Sequence, residues 1–439
     1  MGFLLTIVYV AASYLRPFEL FPELAEYRIM AVLGVACGLF ILADVAAGST
    51  AWLKAPQTYL MLAFVFWIGA SVALNGWIGG ALLAWGEFSI TALVFLFSAV
   101  TITSARRLSI FASVIVACTL VLALQSIAAY HFGYKEDIFV LRQSAADSDT
   151  QQSDAFEQTD DGHTFRRIRS LGFLNDPNDF AQAMVLVFPL LAVWWRPGRS
   201  LRNFILVVLP TAVLLYAIYL TFSRGAAIAL AVLLFMVIQE RWGMLISGSA
   251  GAGLLLAVSA SNFIAGRAIS VEEESAASRI DSWGTGISLL RQHPLAGVGY
   301  NRFLEYNPLT AHNSFVLCFA ELGLVGYFVW LALLTMSLLH LGRLFRKQVE
   351  TNEPLANWTR ALRNSLVAFL AASLFLSRTY SQSLYVLLGM SVALYSIDRN
   401  TRALDLVSNW AWAWRTLVLE IASIIVIYGF VVGSHVFGK

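Results

Sequence analysis

The chain is organised as a series of apolar stretches separated by polar connectors. Most of these stretches approach the ~20 residues that an α-helix needs to cross a bilayer. Of the 439 residues, 59% are hydrophobic and only 13% are charged, a balance that excludes an ordinary soluble protein. The sequence therefore predicts an all-α polytopic membrane protein, with residues 1–439 forming a single integral membrane domain. We expect 12 or 13 transmembrane helices, in the stretches 2–15, 29–47, 57–75, 81–103, 108–129, 180–195, 203–222, 225–239, 244–265, 314–341, 361–377, 384–397 and 415–434.

The short connectors between these stretches carry basic residues on one side of the predicted membrane. That side is cytoplasmic by the positive-inside rule, and the long loops 130–179 and 266–312 then lie outside. In the second loop, apolar residues recur on one helical face over 275–292, which predicts an amphipathic helix at the outer surface. The basic connectors contain Arg106, Arg107, Arg196, Arg199, Arg202, Arg241, Arg343, Arg346, Lys347, Arg399 and Arg402.

Arginines also occur on the predicted outer side, where basic residues should be scarce. Only four of the 29 basic residues in the chain are lysines. A single outer arginine is explained by a side chain that extends to the membrane interface. A set spread over several loops suggests an anion held at the outer face, because one guanidinium group can donate two hydrogen bonds to the oxygens of a phosphate. The set consists of Arg166, Arg167, Arg169, Arg224, Arg267, Arg279, Arg291, Arg302 and Arg378.

A titratable residue, His312, stands where the second long loop enters an apolar stretch. It begins the run His312-Asn313-x9-Gly323-x-x-Gly326. An imidazole at the mouth of a membrane helix can accept a proton from a hydroxyl, or it can simply cap the helix. Asn313 is suited to orienting a ligand. Glu321 lies nine residues after His312, on roughly the opposite helical face, so we do not expect it to orient the imidazole.

The glycines of this run and a polar run in the first long loop have structural explanations. Gly323 and Gly326 favour close helix packing. Pro177 and the Asn and Asp residues of 175–179 predict a turn, and Asp179 is a candidate cap of the next helix. The sequence shows no convincing cluster of metal ligands and no nucleotide-binding motif, so we expect no metal and no cofactor.

Taken in order, four motifs within residues 166–330 resemble the O-antigen ligase and O-antigen polymerase superfamily. The third glycine that usually ends the ligase motif is replaced here by Tyr327, which weakens the likeness to ligases relative to polymerases and protein-glycan ligases. The four motifs are Asn175-Asp176-Pro177-Asn178, Thr221-Phe222-Ser223-Arg224-Gly225, Arg279 followed by His293-Pro294-Leu295-Ala296-Gly297-Val298-Gly299, and the run that begins at His312.

The resemblance implies a C-type glycosyltransferase-like fold in the bacterial inner membrane, with a metal-independent active site facing the periplasm. The implied donor is a glycan on undecaprenyl diphosphate, and the acceptor is lipid A-core or another lipid-linked glycan. The expected partners are thus these two substrates and membrane lipid, with no nucleic acid. The implied catalytic residues are Arg224, Arg279 and His312, and the expected substrate-binding residues are Arg166, Arg167, Arg169, Asn178, Arg302, Asn313 and Arg378.

Three functions remain compatible with the sequence. An O-antigen ligase and an O-antigen or exopolysaccharide polymerase would use the same donor chemistry on different acceptors. A transporter of lipid-linked saccharides would also need a basic site. Transporters often show internal repeats and binding sites near the membrane midplane. The arginines here gather at one face and no repeat is visible, which favours an enzyme.

Overall fold

A computed structural model of the protein describes residues 1–46, 48, 51–144, 164–260, 269–351, 355–398 and 410–437. The basic residues Arg267, Arg399 and Arg402 and parts of both long loops lie outside these ranges. The first half of the chain forms α1 (Gly2–Leu15), α2 (Pro17–Leu20), α3 (Ile29–Ala46), α4 (Pro56–Leu74), α5 (Ile78–Thr101), α6 (Ala105–Phe132), α7 (Glu136–Phe139), α8 (Pro177–Ala192) and α9 (Ser200–Asn203). The second half forms α10 (Leu209–Thr221), α11 (Arg224–Ala260), α12 (Ile269–Gln292), α13 (Ser314–Glu350), α14 (Ala356–Ser373), α15 (Gln382–Ile397) and α16 (Ala411–Phe437).

The described part of the chain contains eight helical segments that are long and apolar enough to cross a membrane. This finding confirms an all-α polytopic membrane protein. The count of 12 or 13 spans stays a prediction. Among the other candidates, α8 and α15 have only 16 residues each. The eight segments are Gly2–Leu20, Pro22–Ala46, Pro56–Leu74, Ile78–Thr101, Ala105–Phe132, Ser200–Thr221, Ser314–Glu350 and Ala411–Ser434.

The first long loop contains a β-hairpin that the sequence pattern did not predict. Strand β1 (Val140–Ser144) pairs antiparallel with β2 (Thr164–Ile168), and Leu141 lies opposite Arg167. The two strands are separated by about twenty residues rather than by a tight turn, so the usual short-range hairpin signal is missing. The hairpin packs against α6, and β2 also packs against α10.

The predicted helix over 275–292 lies within α12, which packs against α13 and α16. Gly286 explains the close approach of α12 to α13, because a Cβ atom there would lie 2.4 Å from Cγ1 of Val316. An amphipathic helix at the outer surface was expected here. Much of its apolar face contacts protein: Ile287 and Leu290 are buried in the core.

Helix α13 breaks at Gly323, whose φ of 65° lies in the left-handed region that favours glycine. The loop 293–299 fills the break with backbone hydrogen bonds. Val298 and Gly299 donate to the carbonyls of Ala320 and Glu321, at 3.0 and 2.9 Å. Leu324 beyond the break donates to the carbonyl of Pro294 at 2.8 Å.

The glycines at this junction permit the close approach of the two backbones. A Cβ on Gly297 would lie 2.3 Å from the carbonyl carbon of Glu321, and one on Gly323 would lie 2.3 Å from that of Leu295. The expectation that Gly323 serves only helix packing is therefore incomplete, since it also forms the break. Gly326 does serve packing: a Cβ there would lie 2.6 Å from the indole of Trp67.

We expect Gly323→Ala to lower the free energy of unfolding of the purified protein by about 1–3 kcal/mol. Alanine is strained in the left-handed conformation, and its Cβ would clash with backbone atoms of the loop 293–299. Gly342→Ala in the same helix is the matched control, since nothing lies within 4 Å of a Cβ there. Thermal unfolding in detergent measures both variants. Equal melting temperatures for the two would contradict the strained junction.

Candidate active site

Five chain segments meet at one end of the helix bundle, which we call the site end. They are the starts of α8, α11 and α13, the end of α10, and the loop 374–381 between α14 and α15. The hydroxyl of Ser314 donates to the carbonyl of Leu376 at 2.5 Å and accepts a hydrogen bond from the backbone N–H of Arg378 at 2.7 Å. These contacts hold the loop against the first residue of α13.

Arg167 of β2 joins two of these segments. Its side chain is buried, with 6% of the residue exposed. Nε donates to the carbonyl of Thr221 at 2.8 Å, and Nη2 donates to Oδ1 of Asn178 at 3.1 Å. The sequence assigned Arg167 and Asn178 to substrate binding. The structure brings them together and shows that they link β2, the end of α10 and the start of α8.

Asp179 and Arg378 form an ion pair at the site end. Asp179 is 5% exposed, so its carboxylate is largely withdrawn from water. The expectation that Asp179 caps α8 is wrong, because Asp176 caps it: Oδ1 of Asp176 accepts from the backbone N–H of Asn178 at 2.7 Å. The helix begins one turn earlier than expected because Pro177 at its first position stabilises the helical φ.

Asn313, not His312, caps α13. Its Oδ1 accepts from the backbone N–H groups of Phe315 and Val316, at 2.9 and 3.2 Å. His312 has a φ of 48°, a left-handed conformation in which histidine is enriched over most residues. Its backbone N–H donates to Oγ1 of Thr310 at 3.3 Å, which fixes the position of His312 in the loop.

Arg224 and Arg279 lie on elements that flank His312. Arg224 is the first residue of α11, and a Cβ on the adjacent Gly225 would lie 3.7 Å from Cβ of Phe375 in the loop 374–381. Arg279 lies one helical turn before Trp283, whose indole N–H donates to the carbonyl of Ala311 at 2.9 Å. Both arginines are partly buried. Arg224 thus belongs to the site end, and Arg279 belongs to a helix that contacts the loop immediately before His312.

Arg166 and Arg302 are held by carboxylates outside this group. Arg166 pairs with Glu136 at 2.8 Å and lies over the ring of Tyr130. Arg302 binds Glu305 with two nitrogens, at 3.0 and 2.7 Å. This pairing lowers the pKa of the Glu305 carboxyl and raises the pKa of Arg302.

Arg169 and Asn313 also have protein partners. Nε and Nη2 of Arg169 donate to the carbonyls of Ile138 and Asp137, at 3.0 and 2.9 Å. Asn313 uses its amide oxygen as the helix cap and is 1% exposed. Their substrate-binding roles stay predictions. A ligand that bound these side chains would do so beside the hydrogen bonds that they already make within the protein.

Glu321 has a role that sequence reasoning missed. Its carboxylate is 2% exposed and lies just before the break of α13. Oε1 accepts from the backbone N–H of Phe303 at 3.0 Å, and Oε2 accepts from the hydroxyl of Tyr380 at 2.7 Å. Glu321 therefore ties two loops to α13. An acid within an apolar run was the available signal.

Within the described ranges, no group of three or more His, Cys, Asp or Glu side chains could hold a metal ion. The side chains at the site end include positively charged arginines, serine and threonine hydroxyls that can donate hydrogen bonds, and the imidazole of His312. Such a set can hold a polyanion and accept a proton.

We expect Arg378→Ala to destabilise the protein by about 3 kcal/mol, because it leaves Asp179 buried without its counter-charge. The double variant Asp179→Asn/Arg378→Gln removes both charges, so we expect it to recover part of this loss. Thermal unfolding of Asp179→Asn, Arg378→Gln and the double variant measures the coupling. Additive losses would contradict the structural ion pair.

Residues 209–331 match the family model described as O-antigen ligase. None of the curated proteins compared with the chain matches it significantly. The matched region runs from α10 into α13 and contains Arg224, Arg279 and His312. It confirms the resemblance that the ordered motifs indicated. The likeness to the O-antigen ligase family therefore rests on residues 209–331 of the chain.

Proposed function

We propose that the protein is a membrane glycosyltransferase that moves a glycan from undecaprenyl diphosphate to a sugar hydroxyl at the periplasmic face of the inner membrane. The observation that carries this proposal is the coincidence of the family match with the site end. The matched region contains Arg224, Arg279 and His312. Arg224 begins α11 beside the loop 374–381, and Trp283 in the helix that carries Arg279 binds the carbonyl of Ala311 next to His312.

Arg224 and Arg279 are proposed to hold the diphosphate. Guanidinium groups bind phosphate oxygens bidentately and remain charged at every physiological pH. In the reaction, the bond between the anomeric carbon and the phosphate oxygen breaks, and negative charge develops on the leaving diphosphate. Two fixed arginines stabilise that charge in the way that a divalent cation does in other enzymes. We accordingly expect transfer to persist in a chelator.

His312 is proposed to act on the acceptor. The acceptor oxygen forms the new glycosidic bond to the anomeric carbon, and its proton passes to the neutral imidazole. The left-handed backbone of His312 and its bond to Thr310 fix the residue at the mouth of α13. The products are the glycosylated acceptor and undecaprenyl diphosphate.

The acceptor distinguishes ligase from polymerase. Our first choice is a ligase acting on lipid A-core, and the alternative is a polymerase acting on another lipid-linked repeat. Tyr327 favours the alternative, because it replaces a glycine of the ligase motif and is fully buried, with its hydroxyl 2.7 Å from Oγ of Ser423 in α16. Deletion of the gene separates the two: free lipid-linked polymer indicates a ligase, and single repeats indicate a polymerase.

A transporter of lipid-linked saccharides would bind the same diphosphate without making a new glycosidic bond. Purified protein in proteoliposomes, given lipid-linked donor and acceptor, discriminates the two functions. A covalent product indicates transfer, whereas movement of donor across the bilayer without a product indicates transport.

Replacing Arg224 or Arg279 by alanine should slow transfer by ~30- to 1000-fold, because a charge-assisted contact to the leaving group is worth about 2–4 kcal/mol. Lysine should rescue poorly, since it lacks the planar pair of donors. Arg291→Ala is the matched control, an exposed arginine on the same helix as Arg279. Normal rates in both alanine variants at normal expression would exclude the diphosphate assignment.

We expect His312→Asn to keep the fold and donor binding but to abolish transfer. Asparagine tolerates the left-handed backbone of this position and can donate a hydrogen bond, but it cannot accept the acceptor's proton. The wild-type rate should also fall as the pH drops below the range in which imidazole is neutral. His131→Asn is the control, an exposed histidine at the end of α6. Substantial turnover by His312→Asn would leave His312 as a positioning residue only.

A further inference from the structure

An open cleft of about 690 Å³ lies where the end of α1, α7 and the segment between β2 and α8 meet. It is separate from the residues assigned to catalysis, and Arg16, Glu19, Asp137, Arg169, Phe173 and Asn175 are among the residues that line it. Its size lies in the range of sites that hold a small molecule or several sugar rings.

The walls of this cleft are fixed by hydrogen bonds. On one side, Arg16 donates to Oε1 of Glu19 at 2.6 Å, and the backbone N–H of Gly172 donates to Oε2 of Glu19 at 2.9 Å. On the other side, Arg169 donates to the carbonyls of Ile138 and Asp137. The cleft is therefore preformed, which lowers the entropy cost of binding a ligand.

The chemistry of the lining suits a neutral, hydroxyl-rich ligand. Two arginines and two acids contribute formal charges that cancel. The proposed diphosphate site differs in charge, because the residues expected to hold the diphosphate are arginines. Asp137 and Asn175 are exposed, so a carboxylate and an amide are accessible to accept and donate hydrogen bonds. Phe173 adds an aromatic surface against which the C–H face of a sugar ring can pack.

The cleft adjoins the site end along the chain. Arg169 lines the cleft, while Arg167, two residues earlier, binds Thr221 and Asn178 at the site end. Two residues of extended chain span only about 7 Å. Asn175, at the other edge, directly precedes Asp176, the cap of α8. These two connections place the cleft next to the site end.

We propose that this cleft binds neutral sugars of a glycan substrate beyond the unit that reacts. The inference rests on the proposed function for the identity of that glycan. Donor glycan and acceptor glycan share this chemistry, and separate arms of the experiment distinguish them.

The test measures binding of free oligosaccharides to the purified full-length protein in lipid nanodiscs by saturation-transfer NMR. One probe is the oligosaccharide repeat released by mild acid from the lipid-linked donor of the same cells. The other is the core oligosaccharide released from their lipopolysaccharide. We expect one probe to bind, and Asp137→Ala/Asn175→Ala to weaken its binding about tenfold or more, the effect of losing one or two hydrogen bonds.

Arg142→Ala is the matched control for this test. Arg142 is exposed on the same hairpin and contacts Glu136 rather than the cleft. The control should bind the probe like the wild type. In the transfer assay, the cleft variant should raise KM for the substrate that carries the bound glycan about tenfold and leave kcat unchanged.

If the cleft variant binds, at wild-type strength, the probe that binds the wild type, the proposal is overturned. Absence of binding of either probe to the wild type at millimolar concentrations overturns it as well. Failure of the proposed function gives a different result. Oligosaccharide binding that depends on Asp137 and Asn175, in a protein that forms no glycosidic bond, would retain the cleft and reject the transferase. Melting temperatures equal to that of the wild type show that the cleft variant is folded.

Discussion

A helix that breaks inside a bilayer leaves backbone N–H and C=O groups that lipid cannot satisfy. Helix α13 breaks at Gly323, about 13 Å from its first residue at 1.5 Å per residue. The loop 293–299 supplies the missing partners through its own backbone. The site end depends on this junction, because Glu321, just before the break, holds Phe303 and Tyr380 and so positions the loops that flank His312.

The arginines expected on the outer side fall into two groups, according to whether their partners are carboxylates or backbone carbonyls. Arg166, Arg302 and Arg378 pair with carboxylates. Arg167 and Arg169 donate to backbone carbonyls that end other elements. In a membrane protein such contacts satisfy groups that would otherwise be costly to withdraw from water. The joining of helix ends therefore explains part of the arginine excess, beside the proposed binding of an anion.

The sequence predicted much of the fold because a local run of apolar residues is enough to indicate a spanning helix. It also indicated which motifs belong together, and the family match confirmed that. It did not predict the hairpin of β1 and β2, the cap at Asp176, or the Asp179–Arg378 pair. These features depend on contacts between residues far apart in the chain. The motif 293–299 was visible in the sequence, but its partner, the break at Gly323, is a tertiary feature.

Helices α8 and α11, which both begin at the site end, differ in the charge of their first residues. The N-terminus of a helix carries partial positive charge, which acidic residues normally balance. Helix α8 follows this rule, with Asp176 as its cap and Asp179 in its first turn. Helix α11 has no acidic residue in its first turn and begins with Arg224 instead. Placing a cation there opposes the helix dipole, and a diphosphate bound at the same point would relieve the repulsion of both. The placement of Arg224 at this helix start is consistent with its proposed role in holding the diphosphate.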